Sequence, residues 1–161
     1  MSAPQTAQPS DALSKTRLRL WLKLLKASAG VEAELRRRLR AEFNSTLPRF
    51  DVMAALARAP DGLRMSEISE RLRVSNGNVT GIVERLVDEG LALRLAVPGD
   101  RRATRARLTA QGQKVFQAQA AAHEKWIDEL LGSLASEDLG ALSARLDRLL
   151  SQLEQDIPDA Q

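Results

Sequence analysis

Apolar residues recur at helical spacing through most of the chain, and in one stretch the spacing changes. A long helix is expected from about residue 12 to 43, with Leu18, Trp21, Leu22, Leu25 and Ala29 on one stripe and Leu35, Leu39 and Phe43 extending an apolar edge. Thr46-Leu47-Pro48 opens a second helix that turns Phe50, Met53, Leu56 and Ala57 inward, and Pro60-Asp61-Gly62 closes it. Leu63-Arg64-Met65 can form a short strand. Ser66 can then cap a brief helix with Ile68 and Leu72 on its inner edge and Glu67 near its N-terminal dipole. In the next helix Val79, Ile82, Val83, Leu86 and Val87 form one stripe. Ser75 is its expected N-cap, Val74 staples against Val79, and Gly90 stops it in the left-handed conformation.

After Gly90 the period becomes two. Residues 91–97 and 104–108 read as strands flanking Pro98-Gly99-Asp100-Arg101-Arg102, a β-hairpin pattern. Thr109 caps a further helix bearing Phe116, Ala120, Ile127, Leu130, Leu131 and Leu134. Ser136, with Glu137 and Asp138 behind it, starts the last one, where Leu139, Leu142, Leu146, Leu149 and Leu153 form a seam that needs a partner helix. The fold class is mainly α: a helix-turn-helix with a basic hairpin, or winged helix-turn-helix, carried by helices at both ends of the chain.

The polar face of the helix after Ser75 carries Gly77, Asn78, Thr80, Gly81, Glu84 and Arg85. Each exposed glycine costs about 1 kcal/mol relative to alanine, so a merely solvated face would not favour them. Small residues suit close approach to another surface, and Asn, Thr and Arg can all hydrogen-bond to base edges in a major groove. The plain alternative is a tolerated weak helix. Between Arg94 and Arg107 the hairpin holds five arginines and one acid, suited to phosphates and the minor groove.

The run Asp100-Arg101-Arg102-Ala103-Thr104-Arg105-Ala106-Arg107-Leu108-Thr109-Ala110-Gln111-Gly112 resembles the wing signature of the MarR (multiple antibiotic resistance regulator) family: D-x-R, an alternating strand, then L-T-x-x-G. The resemblance extends from about Leu18 to Leu153. It implies a dimeric, effector-responsive transcription regulator bound to a pseudo-palindromic operator, with Arg102 reaching the minor groove and Asp100 orienting it. Gly77 and Gly81 stand where family members often carry larger polar side chains, which shifts contact to backbone or to Asn76, Asn78 and Thr80. The implied DNA-contacting set is Ser66, Ser75, Asn76, Gly77, Asn78, Thr80, Gly81, Arg85, Asp100, Arg101 and Arg102. The stretch Leu18-Arg19-Leu20-Trp21-Leu22-Lys23-Leu24-Leu25 is similar to MarR-type regulators of aromatic-acid catabolism, a group that includes sensors of hydroxycinnamoyl-CoA thioesters such as p-coumaroyl-CoA.

Composition narrows the alternatives. The chain has 161 residues, 43% of them hydrophobic, with no Tyr and no Cys, which excludes disulfides and thiolate metal sites. Neither a membrane-spanning run nor a signal-peptide pattern is found, so a soluble cytoplasmic protein is expected. Net charge is +3, yet residues 124–161 hold nine acids and three bases, leaving the rest strongly basic. Lys15, Arg17, Arg19, Lys23 and Lys26 on the first helix can pair with the acidic last helix across a dimer interface.

Glu34-Leu35-Arg36-Arg37-Arg38-Leu39-Arg40 packs four arginines into five residues. Such a run either complements the helix dipole or holds carboxylates and phosphates with its guanidinium forks. By the resemblance it borders the effector cleft, so Arg36, Arg37, Arg38, Arg40, Trp21 and His123 are the candidate effector residues. His123 is the single histidine, near the inward edge of its helix, and reads first as a core or pocket residue. No P-loop, G-x-G-x-x-G or G-x-S-x-G occurs, and no enzyme, cofactor or metal is expected. The expected organisation is a disordered tail (1–11), a helical dimerisation domain (12–47 and 109–157) and a winged domain (48–108). The alternatives are a winged-helix module that binds protein rather than specific DNA, or a sensor of a free aromatic acid.

Overall fold

The computed structural model describes residues 9–156, apart from the side chains of residues 9–11, 101 and 156. The elements are α1 (Pro9–Phe43), α2 (Leu47–Ala57), β1 (Leu63–Arg64), α3 (Met65–Leu72), α4 (Asn76–Asp88), β2 (Ala92–Val97), β3 (Asp100–Leu108), α5 (Ala110–Leu131) and α6 (Ser136–Asp156). Most of the expected tail, residues 1–8, lies outside the described residues; residues 9–11 already belong to α1.

The chain divides into two compact units, Met1–Glu124 and Lys125–Gln161, with the division inside α5. Val115 and Phe116 lie against the core of the first unit, so the first turns of α5 belong with the winged elements. That core joins Val52, Met53 and Leu56 of α2, Ile68 of α3, Val79, Val83 and Leu86 of α4, and Ala106 and Leu108 of β3. Each Leu, Ile, Met or Val buried there contributes about 1.5–3 kcal/mol of transfer free energy. α1 behaves differently at its two ends. Leu35 and Leu39 are buried, whereas Leu18, Trp21, Leu22 and Leu25 are 46–57% exposed.

α2 starts as its sequence dictates. Thr46 caps it by accepting from the Arg49 N–H at 3.3 Å, and Pro48 sits in the first turn. α3 corrects an expectation: its N-cap is Arg64, whose backbone N–H donates to Glu67 Oε2 at 2.6 Å. Ser66 is the second helical residue and is exposed. The Glu67 carboxylate takes the role at this helix start that had been expected of the Ser66 hydroxyl.

The sheet is antiparallel in the order β1-β3-β2, with Leu63 opposite Ala106 and Leu93 opposite Arg107. β3 begins at Asp100 rather than Thr104, because the turn takes only Pro98 and Gly99, with Gly99 at φ +82°. A register shift at Ala96/Val97 absorbs the irregularity. In the second unit, Leu139, Leu142, Leu149 and Leu153 of α6 are 40–50% exposed, so the leucine seam is uncovered in the single chain.

Candidate nucleic-acid interface

α4 is held at both ends. Ser75 Oγ accepts from the Asn78 N–H at 3.4 Å, and Gly90 follows the helix at φ +73°. The turn before it is set by Arg73, which takes the left-handed conformation at φ 52°. Across that turn Ser69 Oγ donates to Asn76 Oδ1 at 2.6 Å, tying α3 to α4. Asn76, expected as a base reader, thus has its carbonyl oxygen engaged within the chain. The Thr80 hydroxyl donates to the Asn76 carbonyl at 2.8 Å, leaving only its lone pairs to face outward. Asn78 and Arg85 are exposed, and the Asn78 side chain makes no hydrogen bond among the described residues.

The two glycines of this face have no explanation inside the chain. A Cβ built on Gly77 or Gly81 meets no atom within 4 Å. Both have helical backbone, so neither needs glycine for its conformation. The helix gives up about 1 kcal/mol per position without a packing reason. What the substitution creates is a shallow, open strip flanked by Asn78, Thr80 and Arg85.

The wing stands beside that strip. Arg94 Nη2 meets Glu84 Oε1 at 3.3 Å, linking β2 to α4. Asp100 Oδ1 accepts from the backbone N–H groups of Arg102 at 3.0 Å and Ala103 at 3.3 Å. The carboxylate shapes the wing tip through backbone, and among the described residues it pairs with no guanidinium. Arg102 and Arg107 are exposed, Arg105 is half-buried, and the Arg101 side chain lies outside the described residues.

One strong contact was not foreseen. Arg49 on α2 meets Glu89, the C-cap of α4, in a bidentate pair: Nη1 donates to Oε1 at 2.7 Å and Nη2 to Oε2. Hydrogen bonding to Arg49 holds the Glu89 carboxyl below the usual carboxylate range. The partners lie 40 residues apart, and opposite charge alone does not select them from the other charged residues of the chain.

The arginine run is largely occupied within its own helix. Arg36 pairs with Glu32 at 2.7 Å, Arg37 forks onto Glu34 at 2.9 and 2.7 Å, and Arg38 reaches Glu34 at 2.8 Å. Hydrogen bonds from Arg37 and then Arg38 pull the Glu34 carboxyl down to about 2. Arg40 is exposed and forms no ion pair among the described residues. Trp21 lies about 22 Å along α1 from Arg36, given 1.5 Å per residue. His123 stacks on Phe50 with ring centroids 4.8 Å apart. Beside it, burial pushes the Asp51 carboxyl up, with His123 acting in the opposite direction. Among the described residues no group of His, Cys, Asp and Glu is placed to hold a metal ion, and no helix is long and apolar enough to cross a membrane.

The MarR family model matches residues 44–103. The structure of a MarR family transcriptional regulator from Silicibacter pomeroyi is 36% identical, covers 87% of this chain and 96% of its own, and superposes with a TM-score of 0.73. The HTH-type transcriptional regulator PecS of Dickeya dadantii is 29% identical over 65% of this chain, which spans 64% of that protein's length. A mutant MarR from E. coli complexed with operator DNA shares the fold, with a TM-score of 0.72 at 22% identity over 84% of this chain and 96% of that one.

Proposed function

This chain belongs to the MarR family of transcriptional regulators, and from that premise we propose that it is a cytoplasmic, sequence-specific DNA-binding repressor. It works as a two-fold dimer, with α4 of each subunit in a major groove and the wing against the backbone and minor groove. The observation that carries the reading is the strip on α4. Two glycines without an intramolecular reason, beside an exposed Asn78 and Arg85, suit a helix that must approach a duplex closely. The half-sites then lie about 10 base pairs or a multiple apart.

Dimerisation is supported by the leucines left exposed on the first half of α1 and on α6. Covering two such stripes is worth more than any ion pair along their edges, which sets orientation. The basic first half of α1 and the acidic α6 supply that complementarity.

The effector we propose is an aromatic acyl-CoA such as p-coumaroyl-CoA, its phosphates held by arginines of the 36–40 run. Glu32 and Glu34 now occupy three of those arginines, so a polyphosphate must displace them, and Arg40 is the first guanidinium it meets. Fluorescence anisotropy with a pseudo-palindromic duplex from the chain's own promoter region, against a scrambled duplex, tests the core reading. Preference for the pseudo-palindrome supports it; equal weak binding to both contradicts it and favours a protein-interaction module. Release by the thioester but not by the free acid supports the effector assignment, and release by both contradicts the phosphate clamp.

A further inference from the structure

The fold uses one face of the three-stranded sheet. Leu63, Ala106 and Leu108 point into the core and are buried. The register puts the alternate residues on the other face. Arg64, Arg105 and Leu95 lie side by side in one row across the strands, and Arg107 and Leu93 lie in the next. Arg64 and Arg107 are exposed, Arg105 is half-buried, and Leu93 is 43% exposed. Among the described residues none of these three arginines forms an ion pair. Glu67 accepts from the backbone N–H of Arg64, and Arg94, which meets Glu84, belongs to the opposite register of β2. Like charges directly opposite on neighbouring strands destabilise a sheet. The chain therefore sets Arg64 against Arg105 without a counter-charge of its own.

We propose that this outer face docks an acidic, amphipathic helix of another protein. Its carboxylates pair with Arg64, Arg105 and Arg107, and its apolar side chains cover Leu93 and Leu95. Charge complementarity sets the sign of the partner, and guanidinium forks match carboxylates in geometry. The spacing suits a helix. Carboxylates at i and i+4 stand about 6 Å apart along a helix axis. Arg105 and Arg107, two residues apart on β3, are separated by about 6.7 Å. The leucines decide between a protein and a nucleic acid. A phosphate backbone offers Leu93 and Leu95 nothing apolar to bury, whereas an amphipathic helix laid on a sheet does. The docking face depends neither on the thioester assignment nor on which duplex α4 reads.

The probe is a labelled, alanine-based helical peptide of about 20 residues, with Glu pairs at i and i+4 and Leu beside them. It is titrated into the full-length protein and followed by fluorescence anisotropy. Saturable binding is expected, weakened about tenfold or more when Gln replaces each Glu, and weakened also when Ser replaces each Leu. On the protein, Arg64→Glu and Leu93→Ser, each shown to be folded by circular dichroism, are expected to weaken the acidic peptide. Lys114→Glu makes the same charge change at an exposed position on α5 and is expected to leave it unchanged. Absence of saturable binding to the wild-type protein overturns the proposal without reference to any variant. So does equal binding of the Gln peptide, or an equal loss with Lys114→Glu and Arg64→Glu. A duplex extended by about 10 base pairs beyond each half-site is added in competition. If it displaces the peptide where the unextended duplex does not, the face belongs to flanking DNA and the proposal is overturned.

Discussion

Gly112 lies so close to Leu91 that a Cβ built on it would stand 1.9 Å from the Leu91 carbonyl oxygen. That same carbonyl accepts from the Thr109 N–H at 3.0 Å. The Thr109 hydroxyl donates to the Gly90 carbonyl at 2.7 Å and accepts from the Gly112 N–H at 2.9 Å. The L-T-x-x-G run is thus a clasp joining the segment after α4 to the start of α5. Gly112→Ala forces backbone apart and is expected to destabilise the protein by about 3 kcal/mol or more. Urea unfolding checks this; a loss under about 1 kcal/mol would mean the clasp gives way easily.

Asn78 and Asn76 are expected to separate. Asn78→Ala should cost about 1–3 kcal/mol on the cognate operator and little on a scrambled duplex, with unchanged stability. Asn76→Ala removes the partner of Ser69 Oγ, so it should lower stability by about 1 kcal/mol along with binding. Anisotropy and urea unfolding on both variants distinguish a base reader from a strap.

On the wing, Arg102→Ala should weaken binding to all duplexes and reduce the slope of log affinity against log salt by about 1. Asp100→Ala frees two backbone N–H groups at the wing tip and should act in the same direction, more weakly. An unchanged slope for Arg102→Ala would place the wing off the DNA.

Acid should loosen α1. The Glu34 carboxyl is held down to about 2 from its ordinary 4.5, so the folded state binds its proton less readily than the unfolded one. Its contribution is complete above the ordinary value and is lost as pH falls from there toward 2. Asp51 runs the other way: burial raises it, so its charged form opposes folding and protonation relieves that. Unfolding followed from pH 6 downward should show Glu34→Gln slightly less stable than wild type at neutral pH and with a shallower acid loss, the two converging as the Glu34 carboxyl protonates. An identical acid profile would mean the Arg37 and Arg38 pairs do not persist in solution.

Features written into neighbouring residues were legible in the sequence. The α4 stripe, its Ser75 cap and its Gly90 stop are all local, as is the Thr109 cap, and the structure has each of them. The start of α3 was misplaced because two capping residues compete there, and the Glu67 carboxylate reaches back to Arg64. The Arg49–Glu89 pair draws on segments far apart in the chain, which no spacing rule joins. Amphipathicity of α1 was visible, and its first half stands exposed in the single chain.

The central claim is that α4 carries small residues because another surface must come close to them. Gly77→Ala and Gly81→Ala, made together, test it most directly, with stability and operator affinity measured on the same sample. Each methyl enters open space and raises helix propensity, so the double variant should be more stable by about 1–2 kcal/mol. It should also bind the operator about tenfold or more weakly, since the methyls hold the helix off the groove floor. A double variant that is more stable and binds DNA as tightly as wild type would contradict the account.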